Sequence, residues 1–457
     1  MDETKRIAQF IVNTTYEALP EEAVRIAKQG ITDCLGCSLV GSAEPSARIM
    51  REYVKEIGGK PEAGVIASHF RVPAPEAALA NGVAGHALDY DDVAMSTWIG
   101  HPSVALLPAI LALGGIHHIS GKKALEAYVI GFEVGAKIGM AIGSGPYAKG
   151  WHYTPVLGTM GAAAAGAKIL KLNVQQTRMA MGIAASLVSG LVANFGTMTK
   201  PFHAGSAARN GVIAATLASR GFTANESIME TPLGLCRALC EKECNLDKMV
   251  EELGTSFSII SPGMEIKPYP SCRLTHRAID AVLWLVENYG ISAADVDKVE
   301  CTTGELAYQT LVHSHPVTGL EGKFSMQYCL AAALLDGKVS LEQFTDEKVA
   351  RAKEMVEKVN YLCVENSAGI AWHQSHPVEV KVRLKDGKEY SHQVMIGKGS
   401  LQNPLTKEEL SSKYRDCASI VLSQVDITKS FELATNLEQV EDITELMNIV
   451  NLLNRGG

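Results

Sequence analysis

From Pro75 to Ser219 the chain is a succession of apolar segments rich in alanine and glycine, and this most narrows what it can fold into. The segments Pro75–Ala87, Val104–Gly115, Lys122–Gly143, Pro155–Leu170, Val174–Phe195 and Ala204–Ser219 are too long for strands. They are parted by polar or glycine-bearing breaks such as His117-His118-Ile119-Ser120-Gly121. Each predicts a helix. Upstream, Thr4–Ala18, Pro20–Val40 and Ser46–Ile57 read the same way, with Pro20 and Glu21-Glu22 suited to a helix start. No strand is expected before about residue 260. Aromatic residues make up only 6% of a chain that is 47% hydrophobic, so the core must be built from small and aliphatic side chains on close-packed helices. Met179 to Met198 carries no charge, yet it lacks aromatic belts and basic flanks, so a buried helix is expected there rather than a membrane span.

The texture changes near Gly263. Val296–Thr303 alternates as a strand, and Val378-Glu-Val-Lys-Val-Arg-Leu384 is a period-2 run turned by Asp386-Gly387 into a second strand, Glu389–Ile396. Helices are expected between them at Thr275–Asn288, Ser325–Leu335 and Asp346–Val359, and after them at Lys407–Leu422 and Leu437–Leu453. The expected fold is mainly α: a large all-helical domain (1–264), a smaller α+β lid domain (265–400), and a helical return (401–457) packing on the first.

A net charge of −8, with no Lys/Arg run longer than two, argues against nucleic-acid binding. The acidic Met1-Asp2-Glu3-Thr4 start is no secretory signal. Ten cysteines without a small-domain framework suit reduced thiols and a cytoplasmic protein. Cys236, Cys240 and Cys244 repeat at helical spacing but have no fourth ligand beside them, and the histidines His117, His118, His313, His315, His373 and His376 lack carboxylates at a regular spacing. No metal site is expected.

Polar loops set inside this apolar context are the candidate chemistry, because buried charges are costly unless paired or used. One is His86-Ala-Leu-Asp-Tyr-Asp-Asp92 running to Gly100-His-Pro-Ser103. Others are Gly150–Pro155, Met198–Gly205 and Ile266–His276. Lys200, Lys267 and Arg273 gather positive charge on an acidic chain, which suits a carboxylate substrate. His101 and His152 are candidates for proton transfer, and Asp89 for orienting one of them.

Taken in order along nearly the whole chain, these pieces resemble the MmgE/PrpD family. The matching pieces are His86–Asp92, Gly100–Ser103, Lys200-Pro-Phe-His-Ala-Gly205 with Ala207-Ala208-Arg209, Lys267-Pro-Tyr-Pro-Ser-Cys272 with Thr275-His276, Phe324-Ser325 with Tyr328, and Asn403-Pro-Leu405. The resemblance implies a homodimer that needs neither metal nor organic cofactor. It implies a lyase acting on a small di- or tricarboxylate by proton abstraction next to a carboxylate. The closest expectation is 2-methylcitrate dehydration. Decarboxylation of cis-aconitate to itaconate, or an iminodisuccinate-type epimerisation, is the alternative. Carried over residue by residue, the decarboxylase site falls on Asp89, His101, His152, Lys200, His276 and Tyr328. Asp89, His101, His152 and Lys200 are expected to be catalytic, and Lys267, Ser271, Cys272, Arg273, His276 and Tyr328 to bind substrate. A threonine often follows the Asp-Asp pair in this family, whereas this chain has Val93. The span from Asp89 to His101 is also longer than in the decarboxylase, and both departures bear on the pocket wall. Outside catalysis, a carboxylate-binding sensor is the rival reading.

Overall fold

The computed structural model describes residues 2–240, 244–365, 367 and 374–453; His373 lies outside them. Helices Glu21–Gly41, Ala74–His86, Ser103–Ile116, Gly121–Ile142, Tyr153–Ile169 and Thr199–Ser219 pack around one core. Every residue of Tyr153–Ile169 is buried, so this helix needs an apolar surface all round. Small residues let the axes close in. A Cβ on Gly82 would lie 2.6 Å from the Cα of Gly205, and one on Gly205 would lie 2.3 Å from the Leu79 carbonyl oxygen. The abundance of alanine and glycine is thus a packing requirement. Among the described residues, no helix is long and apolar enough to cross a membrane.

Besides a short hairpin of β1 (Ala63–Gly64) and β2 (Arg71–Val72), the strands are β3 (Val296–Thr303), β4 (Val359–Cys363), β5 (Val378–Leu384) and β6 (Glu389–Val394), and a second core is built on their four-stranded sheet of order β4-β3-β5-β6. Strand β3 pairs parallel with β4 and antiparallel with β5, and β5–β6 is a hairpin. Val378, Val380 and Val382 are fully buried on one face, which the helices His276–Tyr289 and Met326–Asp336 help to cover. Beyond the sheet, Tyr414, Ala418, Leu422, Ile427, Leu437 and Val450 join the first core.

Several expectations are corrected. The uncharged segment is not one helix: it stops at Ala185, and residues 186–198 form an irregular crossing with a single 3-10 turn at Val192–Asn194. Gly190 (φ 102°) and Gly196 (φ 83°) adopt backbone conformations that a helix excludes. The next helix therefore starts at Thr199, so Lys200 belongs to a helix beginning rather than a helix end. The helix expected at Asp346–Val359 breaks into Asp346–Arg351 and Lys353–Val356, and Val359 opens strand β4. Gln424–Thr435, capped by Ser423, is an unforeseen helix, and Leu437–Leu453 shrinks to a 3-10 turn and Thr444–Val450. A two-residue hairpin (Ala63–Gly64 with Arg71–Val72) breaks the all-helical first part. The Cys236 repeat leaves its helix at Leu239, and Cys240 is extended.

Candidate active site

Helix Ala74–His86 ends on His86, and the chain turns through Asp89, whose φ of 51° is left-handed. Three successive carbonyls of this turn each accept a hydrogen bond from a buried ammonium group. Lys323 donates to Leu88, Lys267 to Asp89 and Lys413 to Tyr90, each at 2.8 Å. Lys323 also reaches the Pro270 carbonyl, and Lys413 reaches the Lys267 carbonyl and pairs with Asp33 at 2.7 Å. Three distant parts of the sequence thus hold one loop. Burying a lysine is affordable only with such partners.

The carboxylate of Asp89 lies between two ammonium groups, Lys200 at 2.8 Å and Lys267 at 3.0 Å, and His101 Nε2 stands 3.7 Å away. The orienting carboxylate is Asp91, not Asp89. Asp91 Oδ1 accepts from His86 Nδ1 at 2.8 Å, and Oδ2 is 3.0 Å from His101 Nδ1, which also lies 2.9 Å from the Asp92 carbonyl. His101 Nδ1 faces only acceptors, so it carries the hydrogen and leaves Nε2 as a lone pair. The same logic applies to His86, whose Nε2 is 2.7 Å from Lys200 Nζ. Across the site, His152 Nδ1 is 3.0 Å from His203 Nδ1, so these two imidazoles share one hydrogen. The Lys200 ammonium also lies 5.3 Å from the ring centroids of both Phe195 and Phe324.

Burial pulls the His101 pKa down to about 3, with Lys200 adding to the effect and Asp91 opposing it. Burial, reinforced by Lys200 and His203, holds His152 well below the usual imidazole range. Both are therefore neutral near pH 7. Burial alone would raise Asp89, but Lys200 and Lys267 outweigh it and keep the carboxyl well below its ordinary value. His86 and His101 do the same for Asp91. Asp92, buried beside Asp91, is pushed well up. These directions fix a pH dependence. A histidine depressed from an unfolded value of about 6.5 contributes stability that is present above pH 6.5 and is lost as the pH falls toward its folded pKa. The depressed carboxylates act with the same sign at lower pH, and the raised Asp92 carboxyl opposes them. The melting temperature is expected to fall steadily from pH 7 to about pH 4 in circular-dichroism melts. A flat profile would mean that the buried imidazoles are already charged in the fold.

A cavity opens on this network. Of the residues singled out from sequence, Asp89, His101, His152, Lys200, Cys272 and Arg273 line it. The other four do not. Lys267 lies beneath Asp89, and Ser271 bonds to Thr275 Oγ1 at 2.9 Å. His276 is engaged by Arg273 and the Ser271 carbonyl. Tyr328 donates its hydroxyl to the Gln343 carbonyl inside the second core. These contacts are all within the protein, and none of the four residues lines the cavity. Arg273 is itself held by Glu265 at 2.6 Å. Sequence reasoning missed His86, Asp91 and His203 as members of the network, and Phe195 and Phe324 as wall. The first two stand in the stretch already singled out for its charges, and the cost of burying charge pointed to them equally.

The donor atoms of His86, Asp89, Asp91 and His101 lie within 4.8 Å of one another, a set that by type could ligate a divalent ion. Lys200 is hydrogen-bonded to two of the four, and Lys267 to Asp89, so lysines already supply positive charge at the centre of the set.

The chain is similar along 98% of its length to proteins named cis-aconitate decarboxylase. It is 29% identical to that of Homo sapiens and 28% to that of Mus musculus, covering 94% and 93% of them, and 26% identical to that of Aspergillus terreus, covering 96%. The MmgE/PrpD N-terminal domain model matches residues 5–246 and the C-terminal domain model residues 269–439. With the cavity lying where these two matched regions meet, the chain belongs to the MmgE/PrpD family.

Proposed function

We propose that the protein is a lyase acting on a small carboxylate, with His101 as base, His152 as acid and Lys200 as the group that holds the carboxylate on which charge develops. The observation carrying this reading is the His101 tautomer: with Nδ1–H turned to Asp91 and the Asp92 carbonyl, the bare Nε2 is left at the cavity, 3.7 Å from Asp89 and beside the Lys200–Asp89 pair. In an elimination, Nε2 takes the proton from the carbon next to the carboxylate, and the electron pair left on carbon forms the double bond. The carboxylates of the bound substrate favour the charged form of His152, which takes up a proton as the substrate binds, and the leaving hydroxyl departs with that proton as water. In a decarboxylation the bond to CO2 breaks instead, and His152 delivers a proton to the carbon that keeps the electron pair. Both need a fixed cation where negative charge builds, and in a cavity closed to water such a donor is worth far more than in solution. The names of the relatives favour decarboxylation over the dehydration expected from the sequence. Region 265–400 would act as a lid, since Arg273, Leu306 and Phe324 complete the wall from that side.

The test is proton NMR in D2O with citrate, 2-methylcitrate, cis-aconitate, iminodisuccinate and 2-alkylmalates. New vinyl signals, or deuterium incorporated beside a carboxylate, are expected with at least one compound. Saturable binding with no turnover and no exchange in any tube would instead support the carboxylate sensor.

A further inference from the structure

The cavity has few charges to spare. Among the described residues, the cations that line it or pair with its wall are Lys200, Lys267 and Arg273, and the carboxylates are Asp89, Asp91 and Glu265. Positive and negative groups are equal in number, and His101 and His152 are neutral. Hydrogen-bond capacity is also nearly spent. Two of the three ammonium hydrogens of Lys200 go to His86 and Asp89, which leaves one. The Arg273 guanidinium gives its Nε hydrogen and an Nη2 hydrogen to Glu265 and its Nη1 hydrogens to His276 and the Lys398 carbonyl, which leaves one on Nη2. Asp89 Oδ2 is buried with no hydrogen-bond partner among the described residues, and it would repel a further carboxylate.

Much of the remaining wall is hydrocarbon. Val93, Met95, Leu274 and Leu306 line it beside the Trp98 ring, and most of the hydroxyls nearby are already engaged. Tyr153 donates to the Gly143 carbonyl, Thr310 to the Leu306 carbonyl at 2.7 Å, and Thr154 accepts from the His101 backbone N–H at 3.1 Å. A polar substituent placed against Val93, Met95, Leu274 or Leu306 would lose its water without gaining a partner, which is unfavourable.

Resting on the reading of this cavity as the substrate site of a carboxylate lyase, we propose that the substrate is a dicarboxylate bearing an apolar arm, not a tricarboxylate. One carboxylate meets Lys200 and the other Arg273, while the arm lies against Trp98, Leu274 and Leu306. Val93, at a position where the family often has threonine, removes one hydroxyl from the side where a third polar group would need it.

The test is calorimetric binding to the intact wild-type protein at pH 7.5 of succinate, 2-propylsuccinate and propane-1,2,3-tricarboxylate. Each buried methylene is worth about fourfold in affinity, so 2-propylsuccinate is expected to bind at least ~10-fold more tightly than succinate, and the tri-acid no better than succinate. Leu306→Arg, which adds a third cation to a partly exposed wall position, is expected to reverse the order in favour of the tri-acid. Equal or tighter wild-type binding of the tri-acid, or no binding of any probe, would overturn the proposal. Binding is read without turnover, so the two proposals fail separately. Preference for the alkyl dicarboxylate without lyase chemistry on any alkyl dicarboxylate sinks only the proposed reaction. Turnover of a tri-acid that binds best sinks only the substrate class.

Discussion

Lys200→Ala is expected to lower kcat/KM at least ~100-fold while the protein stays folded, on the scale of losing one preorganised charge-stabilising donor. The side chain is buried beside the rings of Phe195 and Phe324 and hydrogen-bonded to His86 and Asp89. Removing one partner of a buried ion pair is usually severe because the other charge is stranded. Here Lys267 remains 3.0 Å from Asp89, so the carboxylate keeps a cation and the loop keeps its anchor. The loss therefore falls on catalysis more than on stability. Lys200→Arg is not expected to restore activity, since a planar fork cannot replace a compact ammonium buried against Asp89 and His86. Steady-state kinetics with a parallel thermal melt decide the matter, and near wild-type turnover in the alanine variant would remove Lys200 from the mechanism.

The second large effect is expected from Asp91→Asn: a fall in kcat of roughly 10²–10⁴-fold, the range for losing a positioned proton-transfer group, with little change in KM. The carboxylate faces two imidazoles at once: Oδ1 hydrogen-bonds His86, and Oδ2 lies 3.0 Å from His101 Nδ1, which also meets the Asp92 carbonyl. An amide has only one acceptor oxygen. Whichever way it is turned, one histidine meets an N–H where it had an oxygen. Facing His101, the amide favours the tautomer with hydrogen on Nε2, and the base loses its lone pair. Facing His86, it pushes the hydrogen toward Nε2 and so against the Lys200 ammonium 2.7 Å away. Asp91 does not line the cavity, so a purely structural role would lower the melting temperature without separating kcat from KM. If kcat stayed within about threefold of wild type, the Asp92 carbonyl alone would be sufficient to hold His101 in place.

How far the sequence could be read follows from what each signal depends on. The strand Val378–Leu384 and its turn at Asp386-Gly387 were legible because a half-buried strand writes alternation directly into the chain. Helix Gly121–Ile142 was legible to within a residue, between a Ser120 cap and Gly143. The end of the uncharged helix was not, because Gly190 and Gly196 stand in a region already full of glycines that sit harmlessly in helices, and only their φ angles set them apart. Strand β4 is an edge strand with one buried residue, Val359, among partly exposed ones, and its identity comes from pairing with β3 across a long sequence separation.

At the site, residue types and segments were readable because charge in an apolar context demands partners. Which partner goes with which was not. Asp89, Asp91 and Asp92 are nearly adjacent, yet one sits between two ammonium groups, one holds two imidazoles, and one accepts from Ser103. The left-handed turn at Asp89 helps part their directions. Tyr328 matched the family pattern by position, but the Gln343 carbonyl takes its hydroxyl.

The lysine donors to carbonyls 88, 89 and 90 have a consequence for biosynthesis. A ribosome delivers the Asp89 turn first, Lys267 and Lys323 much later, and Lys413 later still. Until then the Tyr90 carbonyl and the Asp33 carboxylate lack the ammonium that both require, so the turn cannot settle. A nascent chain can bury much of its helical core during translation and still be inert. The three ammonium clamps on the turn are complete only once residue 413 has joined the fold.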